Sequence, residues 1–387
     1  MREPASALAN RQTVQSAPLP LDRRQFLLAG AASGTMLTLN RVAAAALETP
    51  NCETVVRKVA DAVIRDFPEP PPFNWGEGVL MTGMMRAHRL TGEGRYLDFV
   101  RRFGDHHHQR GIEATLRQRG YCGHWGPGFP MLMLFEETGQ KRYLELARQI
   151  GDFMMNQAER TEDGGLSHFN GKPQLWVDTL DMCCPVLSNL ARLTDRPELQ
   201  EEAIRQLEIF AKHLRDPKTG LFYHMWDEKS GTHTPEFWGR GNGWVVMSYT
   251  EVLKNEKPDS PSRRRLIEPF AKQLASIVPL QDLESGLWRT VLDAPDTYLE
   301  GSASSMFLYG MAESRGRKLL EVPYSDAIER AWKGLVQTVE ADGRVGRVSS
   351  GTGPSGKEGY VGRPVGTYTW GTGALLLAGC AVAEGRA

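Results

Sequence analysis

The sequence predicts an all-α protein, an (α/α)6 toroid of six helical hairpins, and three observations predict it. Two sets of short repeats interleave at roughly fifty-residue spacing, the period of an array or closed ring of supersecondary units. A 3.6-residue apolar pattern recurs twelve times along the chain. Alternate members of the twelve are amphipathic and apolar all round, as expected of an outer ring of helices covering an inner one.

The first repeat set reads Thr91-Gly92-Glu93-Gly94-Arg95-Tyr96-Leu97, Thr138-Gly139-Gln140-Lys141-Arg142-Tyr143-Leu144 and Thr194-Asp195-Arg196-Pro197-Glu198-Leu199. Each copy closes one helical pattern and opens the next, with weaker equivalents near Lys254 and Gly316. The second set reads Trp75-Gly76-Glu77-Gly78, Trp125-Gly126-Pro127-Gly128, Trp238-Gly239-Arg240-Gly241 and Trp370-Gly371-Thr372-Gly373. Trp176-Val177-Asp178 and Glu300-Gly301 occupy the two intervening places, so six apolar segments each have such a start. The pattern predicts helices over 53–67, 77–91, 94–112, 127–138, 141–157, 178–194, 197–214, 242–255, 261–278, 302–315, 324–339 and 371–383. Short strand pieces are expected around 163–169, 220–224, 285–292 and 344–349. Inner helices of such a ring run in one direction, so their N-termini gather at one mouth, lined by the Trp-Gly-x-Gly segments. Indole rings suit the faces of sugars, and helix N-termini suit a carboxylate.

Composition narrows the class of protein. Lys and Arg number 46 against 47 Asp and Glu, a net charge of −1, which excludes a nucleic-acid binder with its basic surplus. A 41% hydrophobic content with nine Trp argues for a folded chain. Mean hydropathy is −0.39, and beyond the N-terminus no segment offers the ~20 apolar residues of a membrane span. Residues 1–46 read as an export leader. Arg23-Arg24-Gln25-Phe26-Leu27 precedes a mild apolar run to Leu39 and the small residues Val42 to Ala46. It resembles a twin-arginine signal, with Asp22 where Ser or Thr is common. The mature protein is then periplasmic or extracellular, with residues 47–387 as one catalytic domain. The five cysteines, Cys52, Cys122, Cys183, Cys184 and Cys380, are expected as buried small hydrophobes rather than disulfides.

Two motifs are false leads. His106-His107-His108 cannot converge on one metal, because consecutive helical residues splay about 100° apart. Gly351 to Glu358 approaches a phosphate-binding loop but ends in Glu, and Gly359, Gly362 and Pro364 forbid the helix that should follow. It is expected as a loop over the mouth.

The segment Phe237-Trp238-Gly239-Arg240-Gly241-Asn242-Gly243-Trp244-Val245 resembles the signature of the unsaturated glucuronyl and rhamnogalacturonyl hydrolases, glycoside hydrolase families 88 and 105. Trp176-Val177-Asp178-Thr179-Leu180-Asp181 is similar to the segment carrying their catalytic Asp, and 221–227, 300–307 and 368–374 also fit. The likeness spans about 55–383 and is closer to family 105. It implies an oligosaccharide substrate ending in a 4,5-unsaturated uronic acid, hydration of the C4=C5 enol ether, and neither metal nor other cofactor. Asp178 is implied as acid and then base. Arg240 is implied as the clasp on the uronate carboxylate, and His224 as a contact to sugar or attacking water. Asp181, one helical turn on, is expected to raise the pKa of Asp178. Trp75, Trp176, Trp238, Trp244 and Asn242 complete the expected substrate contacts. One departure stands out: the stretch from Gly123 to Phe129 lacks the second Asp of those families. Either His124 substitutes, or that role lies elsewhere, or the activity has drifted. Two other functions remain open: a sugar epimerase on the same toroid, using His224 and His124 as paired bases, and a non-catalytic exported glycan-binding protein.

Overall fold

Twelve long helices and two short ones follow one another in the computed structural model, which describes residues 51–320 and 324–385. The leader read at 1–46 lies outside the described residues. The inner helices are α2 (Trp75–Thr91), α5 (Gly128–Thr138), α7 (Asp178–Thr194), α9 (Gly239–Lys254), α11 (Gly301–Gly316) and α14 (Thr369–Glu384). The outer helices are α1 (Cys52–Asp66), α3 (Gly94–Arg110), α6 (Lys141–Asn156), α8 (Pro197–Leu214), α10 (Pro261–Ile277) and α12 (Ser325–Val336). Single turns form α4 (Glu113–Arg117) and α13 (Lys357–Val361). The inner helices pack in the order α2, α5, α7, α9, α11, α14, and α14 packs back on α2, which closes the ring.

Burial follows the two patterns of the sequence. Every residue of α11 from Gly301 to Ser314 is buried, as is every residue of α14 from Gly371 to Val382. In α12 only Ala327, Ile328, Ala331, Trp332 and Leu335 are buried, one stripe facing the inner ring. All five cysteines are buried.

The first repeat has a mechanical meaning. Thr91, Thr138 and Thr194 end inner helices, and each hydroxyl donates to the carbonyl four residues back, at 2.6–2.7 Å. The next residue is left-handed in each case: Gly92 at φ 71°, Gly139 at φ 66° and Asp195 at φ 53°. The helix stops there and the chain reverses. The Tyr that follows in two copies then ties outer helices together. Tyr96 donates to Asp61 of α1 at 2.9 Å, and Tyr143 donates to Asp105 of α3 at 2.8 Å.

The second repeat forms first turns rather than preceding loops, so α9, α11 and α14 begin one to three residues earlier than the pattern predicts. Trp125-Gly126-Pro127 stays outside its helix, because α5 begins at Gly128, and Trp238 caps α9 from outside it. Glycine is required where inner helices touch. A Cβ on Gly78 would lie 2.9 Å from the Gly126 carbonyl carbon, and one on Gly373 would lie 2.4 Å from the Val79 carbonyl oxygen.

The strand pieces cluster at the same mouth. β1 (Gln174–Trp176) runs into α7 and pairs antiparallel with β2 (Met225–Asp227), which pairs with β3 (Thr232–His233). β4 (Trp288–Arg289) pairs with β5 (Leu299–Glu300), and β6 (Val348–Ser349) pairs with β7 (Val365–Gly366). The expected pieces at 163–169 and 220–224 form only isolated bridges, with the ladder a few residues further on in each case.

Gly373→Ala is therefore expected to push α2 from α14 and destabilise the protein by about 1–3 kcal/mol or more. Gly94→Ala, where an added Cβ meets open space, is expected to leave stability unchanged or slightly raised. Urea midpoints of the two variants check this.

Candidate active site

Asp178 is the first residue of α7, so β1 delivers it to the mouth. Register is set by backbone bonds: Trp176 pairs with Met225, and the Val177 N–H donates to the His224 carbonyl at 3.0 Å. These bonds bring the His224 ring alongside, with Nε2 3.0 Å from Asp178 Oδ2. His224 is fully buried, while a fifth of the Asp178 side chain is open to a cavity of about 240 Å³. Trp75, Trp176 and Arg240 also face that cavity. Asp178 is the one carboxylate on its wall among the described residues.

The electrostatics differ from the sequence expectation. Burial pushes the Asp178 carboxyl up, but His224, with smaller help from His168 and Arg240, outweighs it and holds the carboxyl below its usual range. Asp181 does not set this balance and does not line the cavity of Asp178. It lies deeper, on a small axial cavity shared with Glu251 and Met182, where burial, then Glu251 and Asp178, drive its own carboxyl well above the normal range. The expectation that Asp181 raises the pKa of Asp178 is thus corrected, and Asp181 is a buried acid behind the site.

Arg240 is the second residue of α9, and its guanidinium is already engaged. Nη1 donates to the Ser349 carbonyl at 3.0 Å, and Nη2 donates to the Ser350 carbonyl and the Thr352 hydroxyl, both at 3.0 Å. Nη1 lies 3.9 Å from Glu300 Oε1, and the group packs over Trp238 at 4.6 Å and Trp370 at 5.6 Å. Burial pulls its pKa down, opposed by Glu300 and Asp178. Arg240 thus pins residues 349–352 against the mouth, lines the cavity, and lends it positive charge.

Three more expected contacts are structural. Trp238, buried, is the plate beneath His224, with rings 4.2 Å apart at 30°. Trp244, buried, meets Trp75 edge-on at 6.0 Å. The Asn242 side-chain amide accepts from the Phe222 N–H at 2.8 Å and donates to the Phe222 carbonyl at 2.9 Å and to the Trp238 carbonyl. These residues hold the shape of the mouth from behind and do not line the cavity of Asp178.

The stretch without an Asp is filled by an aromatic side chain. A Cβ on Gly123 would lie 2.4 Å from the Tyr121 ring, which faces the cavity and stacks on Phe169 at 5.1 Å. His124 packs edge-on behind Tyr121, outside the cavity lining, so it does not take the place of the absent carboxylate.

Sequence reasoning missed His168 and Tyr360. His168 stacks on Trp176 at 4.0 Å and 9° and places Nδ1 3.1 Å from both Cys122 Sγ and Thr179 Oγ1. Burial drives its pKa down to about 3. Tyr360 of α13 places its hydroxyl 2.9 Å from His224 Nδ1. Tyr360 lies in the segment read as a loop over the mouth, a weak signal for it; nothing in the sequence marked His168.

A model of Glycosyl Hydrolase Family 88 matches residues 50–384. The chain belongs to that family. It is 32% identical over 308 residues to an unsaturated rhamnogalacturonyl hydrolase of Bacillus subtilis, covering 78% of this chain and 86% of that protein. It is 28% identical over 343 residues to an unsaturated 3S-rhamnoglycuronyl hydrolase of Formosa agariphila, covering 80% and 84%. Among solved structures, a possible family 105 member from Klebsiella pneumoniae superposes with a TM-score of 0.78 at 26% identity, over 87% of this chain and 93% of that one. The family 105 hydrolase of C. acetobutylicum gives 0.77 at 25%, over 84% and 98%. The family 88 toroid is thus the fold of this chain.

His168 predicts an acid sensitivity. Its folded pKa is about 3 against an ordinary 6.5, so the unfolded chain binds the proton first. The stability it contributes is complete above pH 6.5 and is lost as the pH falls towards 3, at up to about 1.4 kcal/mol per pH unit. His168→Gln is expected to flatten this slope in urea midpoints measured across that window.

Proposed function

We propose that this family 88 hydrolase removes a terminal 4,5-unsaturated uronic acid from oligosaccharides left by polysaccharide lyases, by hydrating the C4=C5 bond. The carrying observation is a cavity with one carboxylate, Asp178, whose second oxygen is held by His224. Ordinary glycosidases need two carboxyl groups flanking the anomeric carbon, one to protonate the leaving group and one as nucleophile or base. Hydration needs one. Asp178 gives its proton to C4, and positive charge develops at C5 and on the ring oxygen. Water attacks C5 and returns a proton to Asp178. The hemiketal at C5 opens, the ring oxygen becomes a hydroxyl on C1, and C1 then releases the neighbouring sugar.

The site suits an acid for a weakly basic carbon. His224 stabilises the carboxylate that forms as the proton leaves, so the hydrogen bond strengthens along the reaction and lowers the barrier. The N-termini of the inner helices and the buried Arg240 make the mouth favourable to the uronate carboxylate without any positive net charge on the protein. Trp75, Trp176 and Tyr121 offer ring faces to the sugar. The names of the Bacillus and Formosa relatives support a rhamnose-containing aglycone.

Export by the 1–46 leader to the periplasm or beyond fits such a substrate, and the twin-arginine pattern with buried cysteines fits a protein that folds before transport. The epimerase reading is disfavoured, since it needs bases on both faces of one carbon and His124 does not reach the cavity.

The test uses unsaturated disaccharides made by a rhamnogalacturonan lyase, followed by ultraviolet absorbance of the conjugated bond. The wild-type protein is expected to bleach the signal, and Asp178→Asn to lose about 10²–10⁴-fold in kcat. Binding without bleaching would leave a glycan-binding protein, and interconversion of saturated sugars without bleaching would restore the epimerase.

A further inference from the structure

A second cavity, of about 240 Å³, opens beside the one that holds Asp178. Its walls come from the end of α1, at Asp66, and from the first turns of α2 and α14, at Glu77 and Trp370. It therefore lies at the same end of the ring as the catalytic cavity.

A row of three stacked rings joins the two cavities. Trp75 lines the catalytic one. Trp370 stacks on Trp75 with centroids 4.4 Å apart at 30°, and Tyr368 stacks on Trp370 at 4.7 Å and 14°. Trp370 and Tyr368 line the second cavity. All three rings are half-buried, so their open edges make an apolar ridge from one cavity to the other. The row depends on the first Trp-Gly-x-Gly copy. A Cβ on Gly76 would lie 2.9 Å from the Trp370 ring and 2.6 Å from the Thr369 hydroxyl oxygen.

The walls have the chemistry of a sugar site, a few polar groups set among apolar ones. Val59, Val63 and Leu80 form a buried apolar floor, and Tyr368 offers its ring to the C–H face of a sugar. Glu77, the variable residue of that first repeat, supplies the acceptor. The Thr369 hydroxyl donates to it at 3.3 Å, a long bond. A carboxylate has about four lone-pair sites, so sugar hydroxyls can donate to the rest. Burial pushes the Glu77 carboxyl up, as expected of an acid short of donors. Asp66 and Arg344 on the outer lip are closed on each other at 2.8 Å. Two carboxylates against one guanidinium leave the walls acidic, which disfavours a uronate and favours a neutral sugar.

We propose that this cavity is a distal subsite for a neutral sugar of the oligosaccharide whose unsaturated end sits at Asp178, with Tyr368 as its platform and Glu77 as its hydroxyl acceptor. The link to substrate length rests on the hydrolase reading; occupancy of the cavity by a neutral sugar does not.

The test has two arms. Kinetics are first compared on the unsaturated disaccharide and the unsaturated tetrasaccharide of one lyase digest. Wild-type KM is expected to be lower on the tetrasaccharide. Glu77→Gln, which keeps the shape of the side chain, should raise that KM roughly 10-fold, the weight of one hydrogen bond to a charged group. Tyr368→Leu should raise it too, and both variants should keep kcat, the disaccharide KM and the melting temperature near wild type. The second arm is saturation-transfer NMR with a saturated neutral rhamnose oligosaccharide, which lacks the double bond that Asp178 protonates. It is expected to bind wild-type and Asp178→Asn protein alike, and to lose its signal with Glu77→Gln and Tyr368→Leu. A wild-type KM indifferent to length, or variants that shift KM equally on both substrates, overturns the proposal. So does a neutral oligosaccharide that fails to bind, or whose binding survives both variants. If no substrate is bleached, the hydrolase reading fails by itself, and the second arm still decides whether the cavity takes a sugar.

Discussion

The hydrogen bond between His224 and Asp178 joins two neighbouring hairpins of the ring, and much of the mouth is arranged to make it. Asp178 opens α7, while His224 sits after α8, 46 positions along the chain. Their meeting depends on the antiparallel pairing of β1 with β2 and on the Trp238 plate under the imidazole. His224 held against the buried carboxyl keeps it a strong acid, where burial alone would have made it a weak one. The site thereby provides one reactive carboxyl without a second as partner.

The toroid makes that arrangement possible. Six inner helices must close a ring, and they do so where glycines let first turns touch backbone to backbone, as Gly78 does at Gly126. Close approach brings the N-terminal turns together and leaves between them only a narrow axial column. Asp181 and Glu251 line that column rather than the cavity around Asp178. The loops ahead of the inner helices then have one place to go, the rim, and their side chains become the walls of the site.

Much of this was legible in the sequence because it is local. The Thr-Gly stops, the apolar stripes and the small first turns each depend on residues within about one helical turn. Asp178 was legible because its motif sits at a helix start. What the sequence hid is pairwise contact across long separations. Tyr360 meets His224 across 136 positions, and the Arg240 donors reach Ser349 and Ser350 across 109 and 110. The Trp-Gly-Arg-Gly-Asn-Gly-Trp run marked the right region but not the direction of its side chains. Trp238 at the N-cap of α9 and Asn242 and Trp244 on its first turns are buried, and a motif read as a row of ligands is partly scaffolding. Asp181 misled for a related reason: three residues along a helix gives proximity, but burial and Glu251 drive its charge state.

The most direct test is the titration of the Asp178 carboxyl itself, followed by ¹³C NMR in the substrate-free protein and assigned by its loss in an Asn variant. The account predicts a midpoint below that of an unperturbed aspartate, about 3.9. It also predicts that the midpoint rises when His224 is replaced by Phe, because burial then meets only the smaller opposition of His168 and Arg240. A wild-type midpoint at or above that of free aspartate, or one indifferent to His224, would contradict it.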